Sequence, residues 1–170
     1  DTTPDVVINV EVGATWQIKN GDTVLNSGTG NVANQTITLS ALTEGTYSLN
    51  LVATDVAGNI TTTPLTPFVL DTTNPTVSIS SPTADQVIKS ADITLVSSAS
   101  DASGVTCQYK VDDGALAGIN CTGGAINGLT DGRHTLYLVA TDGATNSATA
   151  QVSIVIDLNN TLTVNGAGGA

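Results

Sequence analysis

The chain has 170 residues, of which only 11% are charged, yet 15 acidic side chains against 4 basic ones leave a net charge of −11. Phosphate recognition needs clustered Lys and Arg, so nucleic acid and anionic membrane surfaces are not expected partners. No apolar run approaches the roughly 20 residues of a membrane-spanning helix, so direct membrane insertion is not expected either.

Taken in chain order, apolar residues recur at every second position, which predicts short strands, and no segment keeps a helical period. The first half predicts strands near 6–12, 14–19, 23–27, 34–42, 46–54 and 60–70, with Asn20-Gly21-Asp22 as the turn between the second and third. Trp16 falls on the same face as Ile18 and is expected in the core. Tyr47, Leu49, Leu51 and Ala53 share one face of the fifth strand. The second half predicts strands near 76–80, 91–99, 105–112, 115–121, 125–130, 133–141 and 147–157, with Asp112-Asp113-Gly114 as a hairpin turn. The first half is leaner and is expected to lack one strand that the second has. Beyond 158, Thr161-Leu162-Thr163-Val164 and a Gly/Ala tail read as the start of a further module or as a free strand.

Gly-Thr-Tyr-Ser-Leu-Asn-Leu-Val-Ala-Thr-Asp-Val-Ala-Gly-Asn (45–59) returns as Gly-Arg-His-Thr-Leu-Tyr-Leu-Val-Ala-Thr-Asp-Gly-Ala-Thr-Asn (132–146), and Asp-Thr-Thr occurs at both Asp1 and Asp71. An internal repeat at this spacing means that each copy is one folding unit. Short strands between turn signals predict antiparallel sandwiches. The expected organisation is module one over 1–70, module two over 71–158, and a C-terminal strand or tail over 159–170. Ala-Thr-Asp-Val-Ala-Gly-Asn (53–59) followed by Asp-Thr-Thr-Asn-Pro-Thr-Val (71–77) resembles the signature of bacterial immunoglobulin-like repeats. The resemblance implies two tandem immunoglobulin-like antiparallel β-sandwiches, all-β. It also implies a place in a large secreted adhesin or other extracellular, cell-surface protein. Its partners would then be neighbouring repeats, further copies of the chain, or a cell-surface or matrix ligand.

Cys107 and Cys121 flank the Asp112–Gly114 turn at nearly equal distances, which makes them candidates for facing positions on two strands. They read as a disulfide, with two buried thiols as the alternative. A bridge there would stabilise by about 3 kcal/mol in the chain-entropy model and would indicate an oxidising compartment.

In an immunoglobulin-like sandwich the N-terminus, the loop between the second and third strands and the loop between the last two strands share one end. For module two these elements carry Asp71, Asp101, and Asp142 with Asn146. For module one, Asp1, Asp55 and Asn59 are the equivalent set. Two readings of these residues stand open. One is a calcium site that stiffens the junction, since Ca²⁺ takes oxygen ligands from several loops, and related adhesin repeats use calcium in this way. The other is turn chemistry, in which Asx side chains cap nearby amides. No other cofactor is expected.

His134 aligns with Tyr47, at the start of an inner strand, and is expected to be a packed residue with a polar tip, like the tyrosine corner of sandwich folds. With one His and two paired cysteines, nucleophilic catalysis is not credible, and no enzyme is expected. The expected function is a stalk, spacer or adhesive module. Two alternatives remain: a self-assembling filament subunit in which the strand around Leu162-Thr163-Val164 inserts into module one of the next copy, and an accessory ligand-binding module of a secreted enzyme.

Overall fold

In the computed structural model, residues 2–159 are described, and the chain divides into two compact units, Asp1–Thr72 and Thr73–Ala170. Residues Leu162, Thr163 and Val164, and Asp1, lie outside the described residues.

The first unit holds β1 (Asp5–Ile8), β2 (Thr15–Asn20), β3 (Thr23–Thr29), β4 (Gln35–Thr38), β5 (Gly45–Tyr47), β6 (Leu49–Thr54), β7 (Ile60–Pro64) and β8 (Phe68–Leu70). Its main sheet has the order β3-β2-β6-β7, and β1 with β4 and β5 with β8 form two-stranded ladders, all antiparallel. Alternation decides which side is buried. Trp16 and Ile18 of β2, Leu49 and Leu51 of β6, and Tyr47 of β5 are all at or below 8% exposed, and they pack with Ile8, Ile37, Leu39 and Leu70. The predicted strands 46–54 and 60–70 are each broken in two. Ser48 separates β5 from β6, and Leu65-Thr66-Pro67 separates β7 from β8, where the prolines remove ladder donors.

Trp16 pairs across the ladder with Gly28. A Cβ at Gly28 would stand 2.7 Å from Cζ2 of the indole, so the ring occupies the space that any other side chain would need.

The second unit holds β9 (Thr76–Ser81), β10 (Val87–Ile88), β11 (Ile93–Ser100), β12 (Val105–Val111), β13 (Ala117–Ile119), β14 (Gly123–Ile126), β15 (Gly132–Asp142) and β16 (Ser147–Ile156). One sheet has the order β14-β11-β9 and the other β10-β16-β15-β12-β13. Leu95, Leu136, Leu138, Ala140, Ile154 and Ile156 are at most 1% exposed and form the centre of the core between the sheets. The two-residue β10 was not foreseen, because so short a strand carries no period. It runs parallel to β16, pairing Val87 with Val155 and Ile88 with Ile156. With β9 on one sheet and β10 on the other, the segment 76–88 crosses between the sheets and closes that side of the sandwich.

Cys107 and Cys121 are joined by a disulfide across 14 positions. Their geometry differs from simple facing positions. Cys107 of β12 pairs with Ile119 of β13, and Cys121 follows two residues beyond that strand. The bridge therefore fastens the turn after β13 to β12.

Two measurements check this packing. Gly28→Val is expected to destabilise the first unit by about 1–3 kcal/mol in urea unfolding, because its side chain would displace the buried Trp16 ring. Cys107→Ala with Cys121→Ala is expected to cost the second unit about 2–4 kcal/mol. A negligible loss in either case would contradict the corresponding contact.

Candidate functional site

Three elements of the second unit share one end. The register Val105↔Asp142 places the β11–β12 loop beside the β15–β16 turn, and Ser100↔Thr76 places the start of β9 beside the same loop. Asp101 opens that loop, and one of its carboxylate oxygens accepts from both N and Oγ of Ser103 at 2.8 Å. Asp142 closes β15. Its Oδ1 accepts from the amides of Ala144 and Asn146, and its Oδ2 from Nδ2 of Asn146, all at 2.8 Å. Gly143 N donates to Ser103 Oγ at 3.3 Å and so ties the two loops together.

The first unit repeats the turn. Asp55 Oδ1 accepts from the amides of Ala57 and Asn59 at 2.8 Å, and Oδ2 from Asn59 Nδ2 at 2.7 Å. These bonds, led by that of the Asn59 side chain, hold the Asp55 carboxyl below its ordinary value, since they favour the charged form. Asp1, the remaining member of the first set, lies outside the described residues. Both Asp-x-x-x-Asn loops thus carry out turn chemistry in full.

The same geometry is compatible with an oxygen-seeking cation at the second unit. Asp101 and Asp142 each offer a carboxylate oxygen, and the two lie within 4.8 Å of one another. Two ligands of one Ca²⁺, each at about 2.3–2.6 Å, stand no more than about 5 Å apart, so this pair fits one ion. Oδ1 of each carboxylate already takes two donors, so an ion would be met by the Oδ2 atoms. Asp142 is only 7% exposed, and a cation there would be largely shielded from solvent. Asp71 belongs to the linker that leads to Thr76 and takes part in interactions of its own.

A second polar cluster stands where the repeat places Tyr47 and His134. Tyr47 Oη donates to the carbonyl of Thr43, four residues upstream, at 2.7 Å. His134 Nε2 meets the carbonyl of Thr130, also four residues upstream, at 2.9 Å. The expected corner is present in both units, once with a phenol and once with an imidazole.

Residues 1–72, the whole first unit, match the family model of the bacterial Ig-like domain. The first unit is a bacterial Ig-like domain. No curated protein matches the chain in sequence. Among solved structures, the fibronectin(III)-like modules of Clostridium thermocellum CbhA align over 92% of this chain and 86% of theirs, with 20% identity and a TM-score of 0.55. That likeness speaks to the fold alone. A C-terminal fragment of intimin, solved with the intimin-binding domain of its translocated receptor, aligns over 88% of this chain and 56% of its own, with 12% identity and a TM-score of 0.48. The amphioxus IgVJ-C2 molecule aligns over 89% and 96%, with 11% identity and a TM-score of 0.41. Among the described residues no helix is long and apolar enough to cross a membrane.

The Ig-like corner of the second unit carries a charge that the first does not. His134 Nδ1 lies 2.7 Å from Asp112 Oδ2, whose other oxygen accepts from the amide of Thr135 at 2.7 Å. Nδ1 thus faces a carboxylate and Nε2 a carbonyl, with Thr130 Oγ1 at 3.4 Å beside it, and the ring serves both acceptors when both nitrogens carry protons. The Asp112 hydrogen bond first, then that of Thr130, raises the His134 pKa above its ordinary 6.5. The Thr135 amide first, then His134, lowers that of Asp112 below 3.8. The pairing was not legible in the sequence, because nothing there sets the turn at Asp112 against the first residues of β15.

A raised histidine stabilises fully below its unfolded pKa and loses that contribution as pH rises through the folded one. A lowered aspartate does so above its unfolded pKa and loses it as pH falls through the folded one. The second unit should therefore gain most from this pair between about pH 4 and 6.5. Its melting temperature is expected to drop as pH rises past that window, and His134→Gln should remove this dependence. An unchanged slope in the variant would contradict the clamp.

Proposed function

We propose that the chain is a non-enzymatic spacer in an extracellular bacterial surface protein, holding another part of that protein away from the cell. The observation that carries this reading is the tandem itself. Two Ig-like units, each with its own apolar core, follow one another through a short Pro-containing connection. The Cys107–Cys121 bridge supports an oxidising compartment, and the corner hydrogen bonds and filled cores favour mechanical over chemical work.

Calcium is proposed as a stiffener of the loops at one end of the second unit. Asp101 and Asp142 would hold it, with Asn146 beside them. The ion would supply only charge neutralisation and a cross-link between the two loops.

The test is a thermal melt of the whole chain in excess EDTA, in millimolar CaCl₂ and in millimolar MgCl₂. A ligand at about 100 times its Kd contributes about 2.7 kcal/mol, so a calcium-specific rise of several degrees is expected. Asp101→Ala should diminish the calcium-dependent part of the shift. Equal melting temperatures in all three solutions would overturn the calcium proposal and leave the loops as turns.

A further inference from the structure

β1 of the first unit stands where β11 stands in the second. Each is antiparallel to the strand that precedes the corner, β4 in one case and β14 in the other. β11 has a second neighbour, β9, on its far side, whereas among the described residues β1 is paired with β4 alone. The main chain of β1 is not indifferent to this. Leu42 N donates to Thr2 O and Leu39 N to Pro4 O, so alternate residues address β4 and the N–H and C=O groups of Asp5 and Val7 turn toward the open side. Val7 is 61% exposed.

The open side is also apolar. A groove of about 470 Å³ runs along it, lined by Pro4, Val6, Val7, Leu49, Leu65 and Phe68 among others. Val6, Leu65 and Phe68 pack on the core of the unit but remain partly exposed. In the second unit the matching flank is covered, because Val77 and Ile79 of β9 pack against its core. An edge strand with unpaired main chain beside an uncovered apolar groove is a template for one more strand.

We infer that this groove receives an extended strand from a second copy of the chain, and that the donor is the segment carrying Leu162 and Val164. Its sequence is similar to that of the strand that fills the second unit: Asp71 and Asn74 precede Val77 and Ile79, and Asp157 and Asn160 precede Leu162 and Val164, with the apolar pair one position nearer. In both segments two apolar residues are two positions apart, the spacing with which an extended strand would present both on one face. Residues 160–170 lie outside the described residues, and the assignment uses their sequence alone. Strand addition of this kind takes affinity from main-chain hydrogen bonds and register from alternate side chains. Because donor and acceptor are different segments of the chain, the contact is heterologous and repeats from copy to copy. The inference rests on neither the spacer reading nor calcium.

The experiment is light scattering on the full chain from micromolar to millimolar concentration, together with a chain shortened to residues 1–159 and a fluorescent peptide of residues 157–170. Oligomers that grow with concentration are expected for the full chain, and a monomer for the shortened one. The peptide should bind the shortened chain, and Leu162→Asp with Val164→Asp in the peptide should weaken binding by at least about tenfold. Val7→Pro in the shortened chain removes an outward donor without touching the β4 ladder, and should abolish peptide binding while circular dichroism and melting stay near the parent's. A full chain that stays monomeric throughout would overturn the inference, and so would peptide binding that is indifferent to Val7→Pro.

Discussion

Each unit depends on one extended run of chain that turns an apolar side chain inward at every second position. In the first unit this is the run Tyr47, Leu49 and Leu51; in the second it is Leu136, Leu138 and Ala140, with exposures from 0 to 8%. Burying one side chain of this size contributes about 1.5–3 kcal/mol, and a unit of fewer than 100 residues has few such contributions to lose. β2 beside β6, and β12 and β16 beside β15, bring apolar sets of their own to the same core, whereas β7 is exposed throughout and joins β6 through the main-chain ladder. Many outward strand positions are Thr, Ser, Asn or Gly, and the loops carry the polar networks.

Those networks divide into two kinds. The Asp55 and Asp142 turns are the same device used twice, a carboxylate closing a five-residue loop through two amides and an asparagine. The corners are the same geometry made with different chemistry, neutral at Tyr47 and charged at His134. The second unit therefore carries a cross-link of Asp112, His134 and Thr130, next to a disulfide on the neighbouring strand. That unit is closed on the side where segment 76–88 passes from sheet to sheet. The first unit has no such closure among the described residues.

The architecture was legible because the repeat and the period-2 alternation agree over long segments. Leu136, Leu138 and Ile154 could be assigned inward from the sequence, as could Trp16 and Ile18. Shorter features were not. β10 has two residues and no period, and the breaks at Ser48 and at Leu65-Thr66-Pro67 follow from local ladder geometry that alternation does not encode. The Asp101–Asp142 proximity was approached through the order of loops in the fold, whereas Ser103, which ties those loops, carries no signal of its own. The register that sets Asp112 against His134 is a property of pairing between distant segments, and a single sequence does not state it.

The central claim is that the chain is a series of two independently cored units, one of which carries a closed covalent loop. Pulling a single molecule from its ends by force spectroscopy tests it directly. The account predicts two separate unfolding events, and the one from the second unit should lengthen on reduction, when the bridge spanning 14 positions opens, by about 4–5 nm at roughly 3.6 Å per residue. One combined event, or a second-unit increment that ignores the reductant, would contradict it.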